Sequence, residues 1–286
     1  MWLFVLYKTG ELLSCYLPSS VALWVAKRIA DLFFYLPFKR YKFYKKAVLH
    51  NLNLTLHFAG SDRKEYARRV FQNFAQYIRE FFWLRGISKN RFFREVTPVG
   101  VENLDAALRL GNGVFLLSAH IGNWEWGGIG LALNGYNIHF LVRPHKNPYI
   151  NRLFLSLRER HGIKVIPLPY VRQVIKALQT NSVVATLVDE AEKGVEVKMF
   201  GKKIHLASGP FEIAYRFKSV ILPAFMVKDR KSGKQKGVVE PPIFLNYNVD
   251  AKRSIHLAAQ EFARVMEDYL RFYPEHWLLL KKKNFT

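Results

Sequence analysis

Residues 113–128 read GVFLLSAHIGNWEWGG. The apolar run from Val114 to Leu117 has the length of a buried strand, and it ends in the small residues Ser118 and Ala119 just before His120. Gly122 then breaks the pattern, Asn123 can cap a helix, and Glu125 falls in that helix's first turn. The stretch therefore reads as strand, tight turn, helix. In an open α/β sheet, ligands collect at such turns on the carboxyl ends of strands, so His120 and Glu125 are expected to face a crevice.

Outward from this unit, strand and helix alternate. Strands are expected at Val114 to Leu117, Asn137 to Val142, Lys164 to Pro167, Val183 to Val188 and Val220 to Val227. Another is expected near Gly237 to Val239, after the polar, basic turn Lys228 to Lys236. Helices fall between them at Trp124 to Leu133, Pro148 to Arg160, Val171 to Thr180 and Gly209 to Arg216. This alternation predicts an α/β fold with a mainly parallel central sheet and helices on both faces. Upstream, Tyr66, Val70, Phe74, Ile78 and Phe81 recur at helical spacing and predict a long amphipathic helix over Ser61 to Leu84, with Ser61 as its cap. A short helix over Val101 to Leu110 and a closing one over Ser254 to Phe272 complete the reading.

The amino-terminal part differs in character. Residues 1–38 are rich in Leu, Val, Trp, Phe and Tyr, yet Lys8, Glu11, Pro18, Lys27, Arg28 and Asp31 interrupt them. No apolar run reaches the roughly 18–20 residues that span a bilayer. A cleaved signal peptide does not fit either, because no basic amino-terminal region or small-residue cleavage pattern is present. PFKRYKFYKK follows, interleaving Lys39, Arg40, Lys42, Lys45 and Lys46 with Phe38, Tyr41, Phe43 and Tyr44. The expectation is two parts: a membrane-associating hydrophobic and basic segment at residues 1–60, and an α/β domain at residues 61–286.

A formal net charge of +22 calls for a polyanionic partner. The accompanying aromatics favour an anionic membrane surface, and no nucleic-acid-binding motif of the zinc-finger or RNA-recognition type is present, so no nucleic acid is expected. The single cysteine, Cys15, excludes an intramolecular disulfide, and no zinc framework or other metal site is legible.

His120 is the side chain best suited to accept a proton near neutral pH, and a carboxylate on its other ring nitrogen would fix the tautomer. Glu125 is the expected carboxylate, although it would equally complement the helix dipole. Further candidates sit where strands end. Arg143 opens RPHKNP, which also holds Asn147, and the next helix carries Arg158 and Arg160. Residues at i and i+2 do not share a helix face, so at most one of those two arginines points into the crevice. Asp189 ends the strand ATLVD, while Ser208 and Gly209 begin a helix whose amino terminus suits an anion. The backbone N–H groups of the helix start, Gly122 through Asn123 to Trp124, would hold an oxyanion, with Arg158 as a further donor.

The string HIGNWE resembles the H-x4-D/E box of the glycerolipid acyltransferase superfamily, and its Gly-Asn-Trp-Glu form is similar to the bacterial lipid A biosynthesis acyltransferases. The resemblance runs through RPHKNP, the Arg158 region, the strand ending in Asp189, the MFG turn, ASGP and the closing YPEHW. It implies an acyl chain moved from acyl carrier protein or acyl-coenzyme A to a hydroxyl of a membrane glycolipid, with the thioester as co-substrate and no cofactor. It maps the catalytic base onto His120, its acidic partner onto Glu125, and functional arginine and aspartate onto Arg158 and Asp189. It also implies residence at the bacterial inner membrane, with the catalytic domain on the cytoplasmic face. Two departures bear on the acceptor: Glu190 follows Asp189 where the family commonly has Gln or His, and Leu280, Lys281 and Lys282 stand at its closing His-Arg-Arg element. A lysophospholipid acyltransferase would share the base and differ in acceptor. A non-catalytic basic binding protein would make the box incidental.

Overall fold

A computed structural model describes residues 10–11, 14, 16–36, 39–55, 62–230 and 232–285. Its organising strand is β2, Val114–Ser118, which is apolar on both sides. Phe115 and Leu117 enter one core while Val114 and Leu116 enter another, the signature of a strand covered on both faces. Around it lie β1 (Val96–Val99), β3 (Ile138–Val142), β4 (Lys164–Pro167), β5 (Val183–Leu187), β8 (Val220–Lys228) and β9 (Gln235–Val239), in the order β1-β9-β8-β2-β5-β3-β4. From β8 to β4 every pairing is parallel, and β9 runs antiparallel to β8. The expected mainly parallel sheet is therefore present.

Helices cover both faces. On one side α6 (Trp124–Leu133) and α7 (Pro148–Arg160) bury Ile129, Leu131, Leu153, Phe154 and Leu157. On the other, α8 (Val171–Gln179), α9 (Gly209–Phe217) and α10 (Ala251–Phe272) bury Val174, Leu178, Phe211, Phe262 and Met266. The chain leaves β2 along one face to reach β3 and β4, then returns along the other to insert β5 beside β2. This reversal leaves a crevice at the carboxyl ends of β2, β5 and β3.

The sequence reading omitted three pieces. β1 carries Pro98, which is tolerated because the strand lies at the sheet edge. A short helix, α4 (Lys89–Glu95), precedes it, capped by the Ser88 side chain. The segment after β5 forms a hairpin of β6 (Val195–Met199) and β7 (Lys202–Leu206), where only a turn was expected. Its turn puts Phe200 at φ 52° and Gly201 at φ 73°, the left-handed geometry of a tight hairpin.

Before α4 lie α1 (Ser19–Tyr35), α2 (Lys39–Thr55) and α3 (Asp62–Trp83). The long amphipathic helix is thus present as α3, while its expected cap Ser61 lies outside the described residues. With α5 (Val101–Leu108), the second expected helix is present too. Ala30 and Phe34 of α1 and Val48 and Leu52 of α2 pack against Val70, Phe71 and Tyr77 of α3 and against Leu278. The opposite side of α1 exposes Trp24, Leu32 and Tyr35. Among the described residues no helix is long and apolar enough to cross a membrane. This agrees with the expectation that no segment here spans a bilayer; α1 and α2 are helices with one face packed on protein. Residues 1–9 lie outside the described residues.

Candidate active site

The turn after β2 is fixed by its backbone. Ile121 forms an isolated antiparallel bridge with Trp277, and the Gly122 N–H donates to the His276 carbonyl at 2.9 Å. Gly122 has φ +64°, and a Cβ there would fall 1.6 Å from the Met226 carbonyl oxygen, so only glycine fits. Asn123 is buried and caps α6, its Oδ1 accepting the Trp126 N–H at 3.2 Å. Its amide donates to the buried Glu80 at 2.8 Å. Gly122 and Asn123 thus use these groups in holding the turn that presents His120.

The partner of His120 follows from strand register. β2 and β5 are parallel neighbours with Ser118 opposite Leu187, so two residues further on His120 meets Asp189. His120 Nδ1 lies 2.7 Å from Asp189 Oδ1, and its backbone N–H donates to Oδ2 at 3.1 Å. The Trp277 indole N–H donates to the same oxygen at 3.0 Å. With Nδ1–H directed at the carboxylate, Nε2 is the acceptor. Burial by itself pushes the imidazole pKa down, but the Asp189 carboxylate more than offsets this and holds His120 above its ordinary value. Burial would likewise push Asp189 up; the His120 charge and the three hydrogen bonds it accepts hold it at about 2.

This corrects the expected pairing of His120 with Glu125. Glu125 is fully buried in the first turn of α6, and both its oxygens are taken by Arg158, from Nε at 3.0 Å and Nη2 at 2.6 Å. A guanidinium matches a carboxylate with two parallel N–H donors, which one imidazole nitrogen cannot do. Arg158 is also buried, its guanidinium packed against Phe140 and Phe154. Burial would push its pKa down, and Glu125 more than reverses that, holding the guanidinium above its ordinary value.

The remaining candidates spread around the crevice. Arg158 points inward and Arg160 is exposed, as their spacing requires. Arg143 is exposed at the rim of the cavity, while Asn147 caps α7 by accepting from the N–H groups of Tyr149 and Ile150. Ser208 precedes α9 without a side-chain capping bond, and Gly209 lines the cavity. Among the described residues no group of His, Cys, Asp and Glu could hold a metal ion. Trp277 was noted in the sequence only as part of YPEHW, without a role, and nothing marked its indole as an Asp189 donor.

His120, Glu125 and Arg158 open onto a cavity of about 1320 Å³ that runs beneath α1 and α3, lined by Val25, Ile29, Phe33, Phe74, Phe140 and Leu278 among others. Its walls are mainly apolar, and His120, Thr186 and Glu190 line it at the sheet edge. The chain matches the family model described as bacterial lipid A biosynthesis acyltransferase over residues 1–285. It belongs to that family. Among curated proteins it is 30% identical over 161 residues to a phosphatidylinositol mannoside acyltransferase of Mycobacterium tuberculosis, covering 53% of this chain and 51% of the relative. A protein of the same name from Mycolicibacterium smegmatis is 26% identical over 54% of each chain. A lipid A biosynthesis acyltransferase of Haemophilus influenzae is 23% identical over 78% of this chain and 70% of its own. The chain spans about half the length of the mycobacterial relatives it matches. In this member of the lipid A biosynthesis acyltransferase family, the histidine of the H-x4-E box pairs with the aspartate of the neighbouring strand, and the glutamate of the box pairs with an arginine.

Proposed function

We propose that the protein transfers a fatty acyl chain from an acyl thioester, carried by acyl carrier protein or coenzyme A, to a hydroxyl of a membrane glycolipid. The observation that carries this is a half-buried imidazole paired with a buried carboxylate and opening onto a large apolar cavity in a chain of this family. His120 Nε2 takes the proton as the hydroxyl oxygen attacks the thioester carbonyl carbon. Asp189 holds the tautomer and stabilises the imidazolium that forms. The Gly122 N–H already donates to His276, so the oxyanion falls to the next amides at the start of α6, those of Asn123 and Trp124. Collapse of the tetrahedral intermediate breaks the carbon–sulfur bond. The thiol, with a pKa of about 8.5, leaves as thiolate and recovers the proton from His120.

The relatives' names point to two acceptor classes, a lipid A precursor and a mannosylated phosphatidylinositol. Both are anionic, which suits the net charge of +22. Exposed Trp24, Leu32, Tyr35 and Phe43, beside exposed Arg28, Lys42 and Lys46, form a face suited to lie on an anionic bilayer, here read as the cytoplasmic side of a bacterial inner membrane. The test offers the protein both donor types and both acceptors in anionic vesicles, with products read by mass spectrometry. An O-acylated glycolipid is expected; no acylated product from any combination would end the reading.

Glu190 sets a pH signature for this chemistry. Its Oε2 lies 3.7 Å from His120 Nε2, and its negative charge adds to the support of the imidazolium, while Lys281, paired with Glu190, opposes it. The base must be neutral, so kcat/KM rises as pH climbs through the His120 pKa. Neutralising Glu190 lowers that pKa, and the acid limb for Glu190→Gln is expected at lower pH than for the wild type. A limb that stays in place, or moves up, would contradict it.

A further inference from the structure

Lys283 is almost entirely buried, yet among the described residues its ammonium meets no carboxylate directly. Nζ donates to three backbone carbonyls: Asp189 at 2.7 Å, Ala191 at 3.0 Å and His205 at 2.6 Å. An ammonium has three donors, so its capacity is filled, and Lys283 joins the turn after β5 to strand β7. Its own backbone is held in turn. The Lys283 N–H donates to Asn51 Oδ1 at 2.8 Å, and the Asn51 amide donates to the carbonyls of Leu279 and Lys281.

We propose that Lys283 is a positioning residue for the His120–Asp189 pair, fixing the turn that carries Asp189 by gripping its carbonyl and that of Ala191. The inference rests on the acyl-transfer reading only for its kinetic consequence. A lysine serving merely to fill space would be replaceable by methionine. Here methionine would keep the volume and leave three buried carbonyls without donors, and arginine's planar fork cannot converge on three acceptors around one nitrogen. The segment that Lys283 anchors also delivers two other contacts to the site: the Trp277 indole to Asp189, and the Leu278 N–H to the His120 carbonyl at 2.6 Å. Released from Lys283, the Asp189 turn loses its fixed distance to Nδ1.

The test follows the His120 imidazole by NMR in histidine-labelled full-length protein, with His120→Gln assigning the resonance. The charged groups facing that ring are Asp189, Glu190 and Lys281, and those facing Lys283 are Asp189 and Glu190. All are kept in Lys283→Met; losing the Lys283 charge would by itself move the midpoint up, so only a fall reports the loosened turn. Loosening Asp189 removes support from the imidazolium, so the His120 titration midpoint is expected to move down. In the same variant kcat falls by about 100-fold with the donor KM little changed, the effect of a misplaced catalytic group. A folded Lys283→Met protein with the wild-type midpoint, whether or not it is less heat-stable, would overturn the proposal. If that variant does not fold, Asn51→Ala loosens the same segment from outside the site and is read against the same downward shift. The midpoint reports on Lys283 whether or not acyl product is formed, while acyl transfer itself is judged on the wild-type protein.

Discussion

Alanine at His120 is expected to lower kcat for acyl transfer by on the order of 100- to 10,000-fold while leaving the fold intact. Its side chain lies at the end of a strand beside the cavity and not within a hydrophobic cluster. Asparagine at Asp189 is expected to cost roughly 1,000- to 10,000-fold, although it is nearly isosteric, because its amide would set the wrong tautomer on Nδ1 and could not stabilise an imidazolium. The two act as one unit, so the double variant is expected to be little worse than the poorer single one. Initial rates in vesicles, with circular dichroism as a check on folding, decide it. A folded His120→Ala protein retaining half of wild-type activity would sink the assignment.

Glu125→Ala is expected to act mainly on stability. It leaves the Arg158 guanidinium buried without the only carboxylate it pairs with among the described residues, a situation that costs about 3–5 kcal/mol. The double variant Glu125→Ala, Arg158→Met removes the stranded charge, and it is expected to recover much of that loss. Denaturant midpoints of the single and double variants provide the measurement. If Glu125 instead oriented the imidazole, the single variant would lose turnover at nearly unchanged stability, and arginine replacement would not help.

The fold was largely legible because each parallel strand is a short apolar run bounded by breakers, and each crossover helix has its own periodicity. Asn123 announced its helix start correctly for the same local reason, while Asn147, a candidate binding residue, proved to be a helix cap as well. The pairing of His120 was not legible. Its partner is 69 residues away and is selected by the register of β2 on β5, which no local pattern displays. Glu125, close in sequence, was the tempting choice, but α6 turns it toward α7. The hairpin of β6 and β7 left a trace in the alternation of Val195, Val197 and Met199, yet its turn carries Phe200 where a left-handed conformation favours Gly or Asn. Composition made the amino-terminal helices legible as hydrophobic but did not distinguish the face of α1 that packs on α3 from the face left exposed.

The segment holding Asp189 also sets a timetable. The indole that grips this carboxylate lies 88 residues further along the chain. At ribosomal speeds of about 5–20 residues per second, it is made roughly 4–18 s later. A nascent chain thus lays down the strands that bring His120 to Asp189 seconds before it makes the indole that completes the grip on that carboxylate.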